Sequence, residues 1–308
     1  MTLCNLDDYR VSMADRRRVS IYRDALAQTV PGRVVCQLGV GYVPLGLMAL
    51  QLGAERVYAI DTDPQALSDA LESVRDHGFE DGQFITICGE PSTVDLPERA
   101  DVLVAEPLSS LGFCEDTGER MNIARDRLLV PGGVIVPRRV RCYAALAGPT
   151  QFARQLDLWA RELAEITGIP RDRLVETFRT TTQTMFISPS ALLGEWEVWR
   201  ELDFHDPGRH RQIKPLVLRA NRLGIAHGVA CCFEADLSEG VTIRSFPDAS
   251  PTPWQQAFTP FIESIRLSAG DPVYVELMAP EQVDLGAQFE TRVLGVPEAT
   301  ETRESAVA

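Results

Sequence analysis

Two carboxylates nine positions apart, Glu106 and Glu115, are the residues whose types and spacing first indicate chemistry. Glu106 follows an apolar run at 102–105 that is short enough for a buried strand of a parallel sheet. Pro107 ends this strand because proline has no N–H to donate to a central ladder. Open α/β sheets bind ligands at the carboxyl ends of their strands. Two carboxylates on a loop there could hold a planar cation from both edges, although a solvated surface loop would carry the same residues.

The elements around this loop predict a doubly wound sheet. Short apolar runs alternate with helical patterns from residue 33 to residue 136. We predict strands at 33–38, 57–60, 84–87, 102–105 and 134–136, and helices at 8–27, 44–52, 63–77 and 121–129. Strands that alternate with helices in this way form a parallel sheet covered on both faces. Residues 1–137 are therefore predicted to form an α/β domain.

The pattern changes after Pro137. The segment 151–178 has helical spacing of its apolar residues Leu156, Trp159, Leu163 and Ile166, which predicts an inserted helical arm. Seven short runs follow without helices, at 195–202, 213–220, 227–236, 241–246, 254–262, 272–277 and 289–293. They predict an all-β second domain at 138–296, a barrel or a sandwich. The small and polar tail at 297–308 is expected to be disordered.

The composition excludes several classes of protein. The 44 acidic residues outnumber the 30 basic ones, which leaves a net charge of −14 and argues against a nucleic-acid surface. Seven cysteines without a Cys-x-x-Cys motif predict reduced thiols and a cytoplasmic protein. No apolar run reaches transmembrane length, and the four histidines have no metal-ligand spacing, so we expect neither membrane nor metal.

A glycine-containing turn predicts a nucleotide site. Gly39 and Gly41 follow the first strand, and Asp61 ends the second strand, where a carboxylate can accept both ribose hydroxyls. A dinucleotide fingerprint would have a third glycine where Pro44 stands, so a nicotinamide enzyme is disfavoured. The turn of a methyltransferase tolerates more variation, because it does not have to cradle a pyrophosphate.

From Asp15 to about Val293 the sequence resembles the protein arginine methyltransferases, a branch of the class I S-adenosylmethionine-dependent fold. Five segments carry the resemblance in order: 15–22, the cofactor loop 37–41, the ribose strand 57–61, the double-glutamate loop 106–115 and the turn 252–256. The resemblance implies a Rossmann-like methyltransferase sheet followed by a β-barrel with a helical dimerisation arm. The expected cofactor is S-adenosylmethionine, and the expected assembly is a homodimer.

The resemblance also implies roles for single residues. Arg18 would hold the methionine carboxylate of the cofactor, with Gly39, Gly41 and Asp61 around its ribose, and Glu90 would stand near the adenine amino group. Tyr22 and Trp254 would line the substrate site beside Glu106 and Glu115. The two glutamates would bind the guanidinium and make one nitrogen nucleophilic.

The sequence departs from the family pattern at several positions. Gln37 stands where the family has an acid, Val43 replaces its third glycine, and Leu108-Ser109-Ser110 replaces Met-Gly-Tyr. Pro253 replaces the histidine of the barrel turn, so Asp15 loses the partner that it would have there. Glu115 or water would then receive the proton. These changes affect the substrate site more than the fold or the cofactor site.

The expected activity is methylation of the guanidino group of arginine. We expect free L-arginine or a small guanidino compound as the acceptor, in bacterial natural-product biosynthesis. Three alternatives stay open: methylation of arginine in proteins or peptides, O- or N-methylation of another natural-product acceptor, and a non-catalytic homologue that binds and dimerises.

Overall fold

The structure is a computed structural model that describes residues 14–41, 45–80, 82–113, 117–206, 210–248, 252–278 and 290–295. Glu115, Pro44 and the tail 297–308 lie outside the described residues.

The amino-terminal part of the chain forms a five-stranded parallel sheet with helices packed around it. Its strands are β1 Val34–Leu38, β2 Arg56–Asp61, β3 Phe84–Cys88, β4 Ala100–Ala105 and β5 Leu129–Val136, in the order β3-β2-β1-β4-β5. The helices are α1 Arg16–Thr29, α2 Leu45–Gln51, α3 Pro64–Asp76 and α4 Thr117–Leu128. All five residues of β1 are buried, as expected for a central strand covered on both faces. The predicted doubly wound sheet is confirmed.

The fifth strand begins earlier than its sequence suggests. Pro131, Gly132 and Gly133 predict a break before a strand at 134–136, whereas the structure continues β5 through all three residues. The register between β4 and β5 shifts there, and Gly132 has a φ of 77°. Proline and glycine are tolerated because β5 is the edge strand and the segment forms a bulge.

The remainder of the chain is mostly antiparallel. A seven-stranded sheet comprises β6 Arg139–Ala147, β7 Gln183–Met185, β8 Glu197–Asp203, β9 Arg211–Gln212, β11 Gly224–Ser238, β12 Val241–Arg244 and β13 Gln256–Leu267. A three-stranded sheet comprises β10 Leu216–Arg219, β14 Pro272–Met278 and β15 Glu290–Gly295. The long strand β11 pairs with β6, β12 and β13 and forms the centre of the larger sheet. This is the predicted barrel domain.

The arm at 151–178 is a pair of helices, α5 Thr150–Thr167 and α6 Arg171–Arg179. Gly168 ends α5 in the left-handed conformation. The predicted apolar stripe of α5 divides between two environments. Leu156 is buried at 4% exposure against the larger sheet, whereas Trp159 contacts Phe178 of α6 and Ile166 is 80% exposed. Only the outer part of the stripe is therefore available to another molecule.

The two parts of the chain share one hydrophobic core. Helix α1 packs against β11 and β12, and its Gln28 accepts a hydrogen bond from Ser238 at 3.0 Å. The loop after β4 presses on the larger sheet at Gly112, whose φ is 100°. A Cβ atom at Gly112 would lie 2.7 Å from Phe233 Cβ and 2.8 Å from Cys142 Sγ. The strand-end loop is therefore fixed between the parallel sheet and the barrel.

We predict that Gly112→Ala destabilises the protein more than Gly240→Ala does. Both glycines have positive φ, but a Cβ at Gly240 has nothing within 4 Å. Both substitutions should lose about 1–2 kcal/mol to backbone strain, and Gly112→Ala should lose about 1–3 kcal/mol more to overpacking. Urea unfolding measures the difference. Equal losses would mean that the loop does not press on the barrel.

Candidate functional site

The carboxyl edge of the parallel sheet brings the predicted polar residues together. Gly39 follows β1, Asp61 ends β2, Glu90 follows β3 and Glu106 follows β4. Because β1 lies between β2 and β4, these residues surround the end of the central strand. Helix α1 contacts this edge through Arg18, which bonds to Glu106. The barrel turn at 252–254 contacts it through Trp254, which bonds to Leu108.

Asp61 holds the glycine turn in place. Asp61 is 3% exposed, and its Oδ2 accepts hydrogen bonds from Val40 N at 2.7 Å and Gly41 N at 3.2 Å. Its Oδ1 accepts from Asp63 N at 3.0 Å. The turn has φ values of 70° at Gly39 and 50° at Gly41, which favour glycine. Asp61 thus orders the backbone of the turn as well as standing at the predicted ribose position.

Two further residues shape this turn, and sequence reasoning missed what they do. Gln37 accepts from Gly46 N at 2.7 Å and donates to Gly39 O at 3.2 Å, so its neutral side chain bridges the turn. Gly46 lies in α2, where a Cβ would come within 2.9 Å of Gln37, Phe84 and Val57. The glycine needed for close packing therefore stands two residues beyond Pro44. In the sequence, Gly46 is the third glycine after Gly39 and Gly41, but it lies two residues later than the dinucleotide fingerprint expects.

Glu90 lies after β3 and is half-exposed. Its Oε2 forms an ion pair with Arg120 of α4 at 2.9 Å. Its backbone oxygen accepts from Thr93 N and Val94 N, which closes the turn that follows β3. Glu90 is thus at the expected edge of the sheet, with its carboxylate already engaged by an arginine.

An arginine–glutamate ion pair forms the centre of the site. Arg18 of α1 is 1% exposed and Glu106 is 21% exposed. Arg18 Nε donates to Glu106 Oε1 at 2.5 Å, and Arg18 Nη2 donates to Glu106 Oε2. Asp15 caps α1 by accepting from Arg17 N at 2.9 Å and Arg18 N at 3.1 Å. Sequence reasoning assigned Arg18 and Glu106 to different ligands, and the structure joins them directly.

Burial and charge act in opposite directions on this pair. Burial raises the pKa of Glu106, and the hydrogen bond and charge of Arg18 offset only part of that rise. Burial alone would lower the pKa of Arg18, but the hydrogen bond and charge of Glu106 outweigh it and the pKa is raised. Arg18 therefore supports the ionised form of Glu106 in a place where solvent does so poorly.

Tyr22 completes the face of α1 that meets Glu106. Its side chain is fully buried, and its ring centroid lies 5.6 Å from Arg18 Cζ. Burial raises the pKa of the Tyr22 phenol well above its ordinary value, and the charge of Glu106 adds to this rise. Tyr22 is therefore a neutral hydroxyl next to the ion pair.

The strand-end loop has its own hydrogen bonds and a contact with the barrel. Ser109 Oγ donates to Phe113 O at 2.6 Å, and Gly112 N donates to Ser109 O at 2.9 Å. Trp254 Nε1 donates to Leu108 O at 3.1 Å, and its ring packs edge-on against Phe233. The predicted substrate residue Trp254 therefore lies against the loop that carries Glu106. With Leu108-Ser109-Ser110 in place of Met-Gly-Tyr, the described part of the loop up to Phe113 is held by these hydrogen bonds.

Membrane-spanning helices and metal clusters are both absent from the described ranges. None of their helices is both long and apolar enough to cross a membrane. No group of three or more histidine, cysteine, aspartate or glutamate side chains in that part of the chain is arranged to hold a metal ion.

Comparison with known sequences gives a family context for this site. Residues 24–112 match the family model of ribosomal protein L11 methyltransferase (PrmA). The chain is 27% identical over 278 residues to the "Arginine N(omega)-methyltransferase" of Streptomyces achromogenes subsp. streptozoticus, covering 85% of this chain and 73% of that protein. It is 31% identical over 151 residues to "Protein arginine N-methyltransferase 6" of Danio rerio, covering 48% of this chain and 43% of that protein.

The fold has close relatives among solved structures. A PRMT1 enzyme–prozyme heterotetrameric complex of Trypanosoma brucei with AdoHcy matches with a TM-score of 0.76 at 19% sequence identity, over 92% of this chain and 96% of that chain. The parallel sheet and the antiparallel sheets that follow it match the fold of a Rossmann-like methyltransferase domain with a β-barrel domain. The sequence relatives that align with this chain are named for arginine methylation.

We predict that Glu106→Gln lowers the free energy of unfolding by about 2–4 kcal/mol, because it removes the counter-charge of a buried guanidinium. Arg18→Met combined with Glu106→Gln should recover part of this loss, since both charges are then absent. Asp248→Asn is the control, because it removes an exposed partner of Arg244 and should cost about 0.5 kcal/mol or less. Urea unfolding of the parent, of Arg18→Met and Glu106→Gln alone, and of the double variant gives the coupling energy. A Glu106→Gln variant as stable as the parent would contradict the prediction.

Proposed function

We propose that this protein transfers a methyl group from S-adenosylmethionine to a terminal guanidino nitrogen of arginine, and that free L-arginine or another small guanidino compound is the acceptor. The observation that carries the proposal is the buried Arg18–Glu106 pair at the carboxyl edge of the sheet. The pair contributes a carboxylate, held by a guanidinium, at the strand end between the glycine turn and the barrel.

The residues of the edge fit the cofactor. The ordered turn at Gly39 and Gly41 allows close approach of a nucleoside, and we assign Asp61 to the ribose and Glu90 to the adenine amino group. We also assign Arg18, which Glu106 orients through its Nε–Nη2 edge, to the methionine carboxylate. When bound, the cofactor supplies a methyl group on a sulfonium, which is the electrophile.

The glutamates hold and polarise the acceptor. A guanidinium has a pKa above about 12 and shares its charge over three nitrogens. Glu106 would accept N–H hydrogen bonds from one edge and draw the charge toward it, and Glu115 would do the same from the other edge. The lone pair of one terminal nitrogen would then be directed at the methyl group. Glu115 or water would take the proton that leaves after transfer.

The proposal of a small acceptor has two supports. The Streptomyces relative, which aligns with 85% of this chain, is named an arginine N(omega)-methyltransferase. This chain also has Pro253 in the barrel turn and serines in the strand-end loop, so the wall of the substrate site differs from the family pattern. The Danio rerio relative is named for protein arginine methylation, and peptide arginine is the second candidate.

Transfer of a radiolabelled methyl group tests the acceptor. Parallel reactions would contain free L-arginine, agmatine or an arginine-rich peptide at equal guanidinium concentration. The proposal expects the label on free arginine or agmatine at a higher kcat/KM than on the peptide. Preference for the peptide would establish the second candidate, and no label on any guanidinium would refute arginine methylation.

We predict that Glu106→Gln and Glu115→Gln each lower turnover on arginine by about a hundredfold or more, because each removes a charge from a desolvated site. Affinity for S-adenosylhomocysteine, measured by calorimetry, should change little in either variant. Asp61→Ala is the matched contrast: it should weaken that affinity by about tenfold or more through the loss of charged hydrogen bonds. Loss of turnover in only one glutamate variant would argue against the two-sided grip and for a single general base.

We further propose a homodimer that uses the outer face of the arm. Trp159 is 47% exposed and Ile166 is 80% exposed, and both follow the buried Leu156 along the same apolar stripe of α5, toward the outer end of the arm. We predict a dimer by light scattering at micromolar concentration, and a shift to monomer in Trp159→Ser/Ile166→Ser. A parent protein of about 34 kDa in solution would exclude the dimer.

A further inference from the structure

Three oxygen atoms at the start of α1 and in the barrel turn, Asp15 Oδ2, Tyr22 Oη and Thr252 Oγ1, are closed to solvent. Within the ranges that the structure describes, Asp15 Oδ2 and Thr252 Oγ1 make no hydrogen bond, whereas Tyr22 Oη is within reach of Glu106. Buried oxygens without a donor are rare in folded proteins, because desolvation is then not compensated. The unpartnered carboxylate oxygen of Asp15 beside the Arg18–Glu106 pair indicates that a ligand with N–H or O–H groups belongs there.

The positions of the first two follow from one helix. Asp15, Arg18 and Tyr22 are spaced i, i+3 and i+7, so they lie on one face of the chain where α1 begins. Arg18 binds Glu106, and the carboxylate of Asp15 is close enough to raise the pKa of Glu106 by repulsion. Asp15 therefore lies on the same side of α1 as the strand-end glutamate.

The third oxygen belongs to the barrel turn. Trp254 bonds to Leu108 O, which places the turn at 252–254 over the loop that carries Glu106. Thr252 is two residues before Trp254 in that turn. Helix α1 and the barrel turn therefore both contact the strand-end residues, at Glu106 and at Leu108.

The charges in this region favour a cation. Asp15 uses Oδ1 to cap α1, and that leaves the charge of its carboxylate facing the pair. Arg18 offsets one of the two carboxylates Asp15 and Glu106, so the cluster keeps a negative charge. A carboxylate oxygen that is closed to solvent and accepts no hydrogen bond is stabilised most by a positively charged N–H donor.

We propose that Asp15 is a further substrate-binding residue, whose Oδ2 accepts an N–H hydrogen bond from the cationic substrate. The inference rests on the proposed function, because it names a second carboxylate contact for the same arginine. Arginine has two cationic N–H sources, the guanidinium and the α-ammonium, and Asp15 binds one of them. Asp15 and Glu106 then hold the substrate from the helix side and the sheet side.

Asp15→Asn tests the inference with little structural change, because asparagine caps a helix about as well as aspartate does. Asp24→Asn is the matched control: it removes one charge from an exposed position of the same helix. Binding of L-arginine to each protein is measured by calorimetry in the presence of S-adenosylhomocysteine. Asp15→Asn should weaken arginine binding by about tenfold to a hundredfold, and Asp24→Asn should change it less than twofold.

Two more ligands identify the group that Asp15 binds. Agmatine retains the guanidinium and has no α-carboxylate, and Nα-acetylarginine has no α-ammonium. If Asp15 binds the guanidinium, Asp15→Asn weakens all three ligands by a similar factor. If it binds the α-ammonium, Nα-acetylarginine binds both proteins equally. Either result supports the inference.

Other outcomes would overturn it. Equal arginine binding by Asp15→Asn and the parent would show that Asp15 does not contact the substrate. A loss confined to S-adenosylhomocysteine affinity would assign Asp15 to the cofactor. A parent protein that binds neither arginine nor an arginine peptide would overturn the proposed function itself, which is distinguishable because it appears before any variant is compared.

Discussion

The site depends on one buried charge pair. Arg18 comes from a helix that precedes the sheet, and Glu106 comes from the end of a strand nearly ninety residues later. Neither charge would be stable at this depth alone, since desolvation of an unpaired ion outweighs any packing gain. The pair therefore fixes α1 against the strand-end loop. It also holds the Glu106 carboxylate at the carboxyl edge of the sheet, where the proposed cationic substrate would bind.

Buried polar side chains also hold the glycine turn in place. Asp61 saturates the amides of the glycine turn, and Gln37 bridges the start of the turn to α2. The turn is thus ordered by side chains from two neighbouring strands before any ligand arrives. Preorganisation of this kind lowers the entropic cost of binding. It also explains how glutamine can replace an acid: the contacts need an acceptor and a donor, and an amide has both.

The barrel supplies the remaining wall. Gly112 allows the loop backbone to touch Phe233 and Cys142, and Trp254 reaches back to Leu108. These contacts join the two halves of the chain at the point where the proposed reaction takes place. A shift of the barrel relative to the sheet would move the substrate wall relative to Glu106. Precise positioning of the acceptor then depends on packing between domains as much as on the catalytic residues.

The sequence by itself determined the class of fold and most of the edge residues. Periodicity located the parallel strands, because burial on both faces requires continuous apolar runs. Strand ends then located Gly39, Asp61 and Glu106, because open sheets bind ligands there. The spacing of the two glutamates and of the barrel turn indicated the family. Pro131, Gly132 and Gly133 were read as a break because local propensity favours one, and only the edge position of β5 allows them inside a strand.

Only the tertiary structure decided which of these residues act together. The sequence assigned Arg18 to the cofactor and Glu106 to the substrate, and it gave no reason to join residues on distant elements. The structure joins them because burial leaves each charge with a strong need for the other. The packing role of Gly46 was likewise invisible in the sequence. It depends on what lies within a few ångströms in space, and one-dimensional patterns record spacing along the chain alone. Pro253 predicted that Asp15 lacks its usual partner, but only the structure shows that Asp15 Oδ2 is closed to solvent beside the Arg18–Glu106 pair.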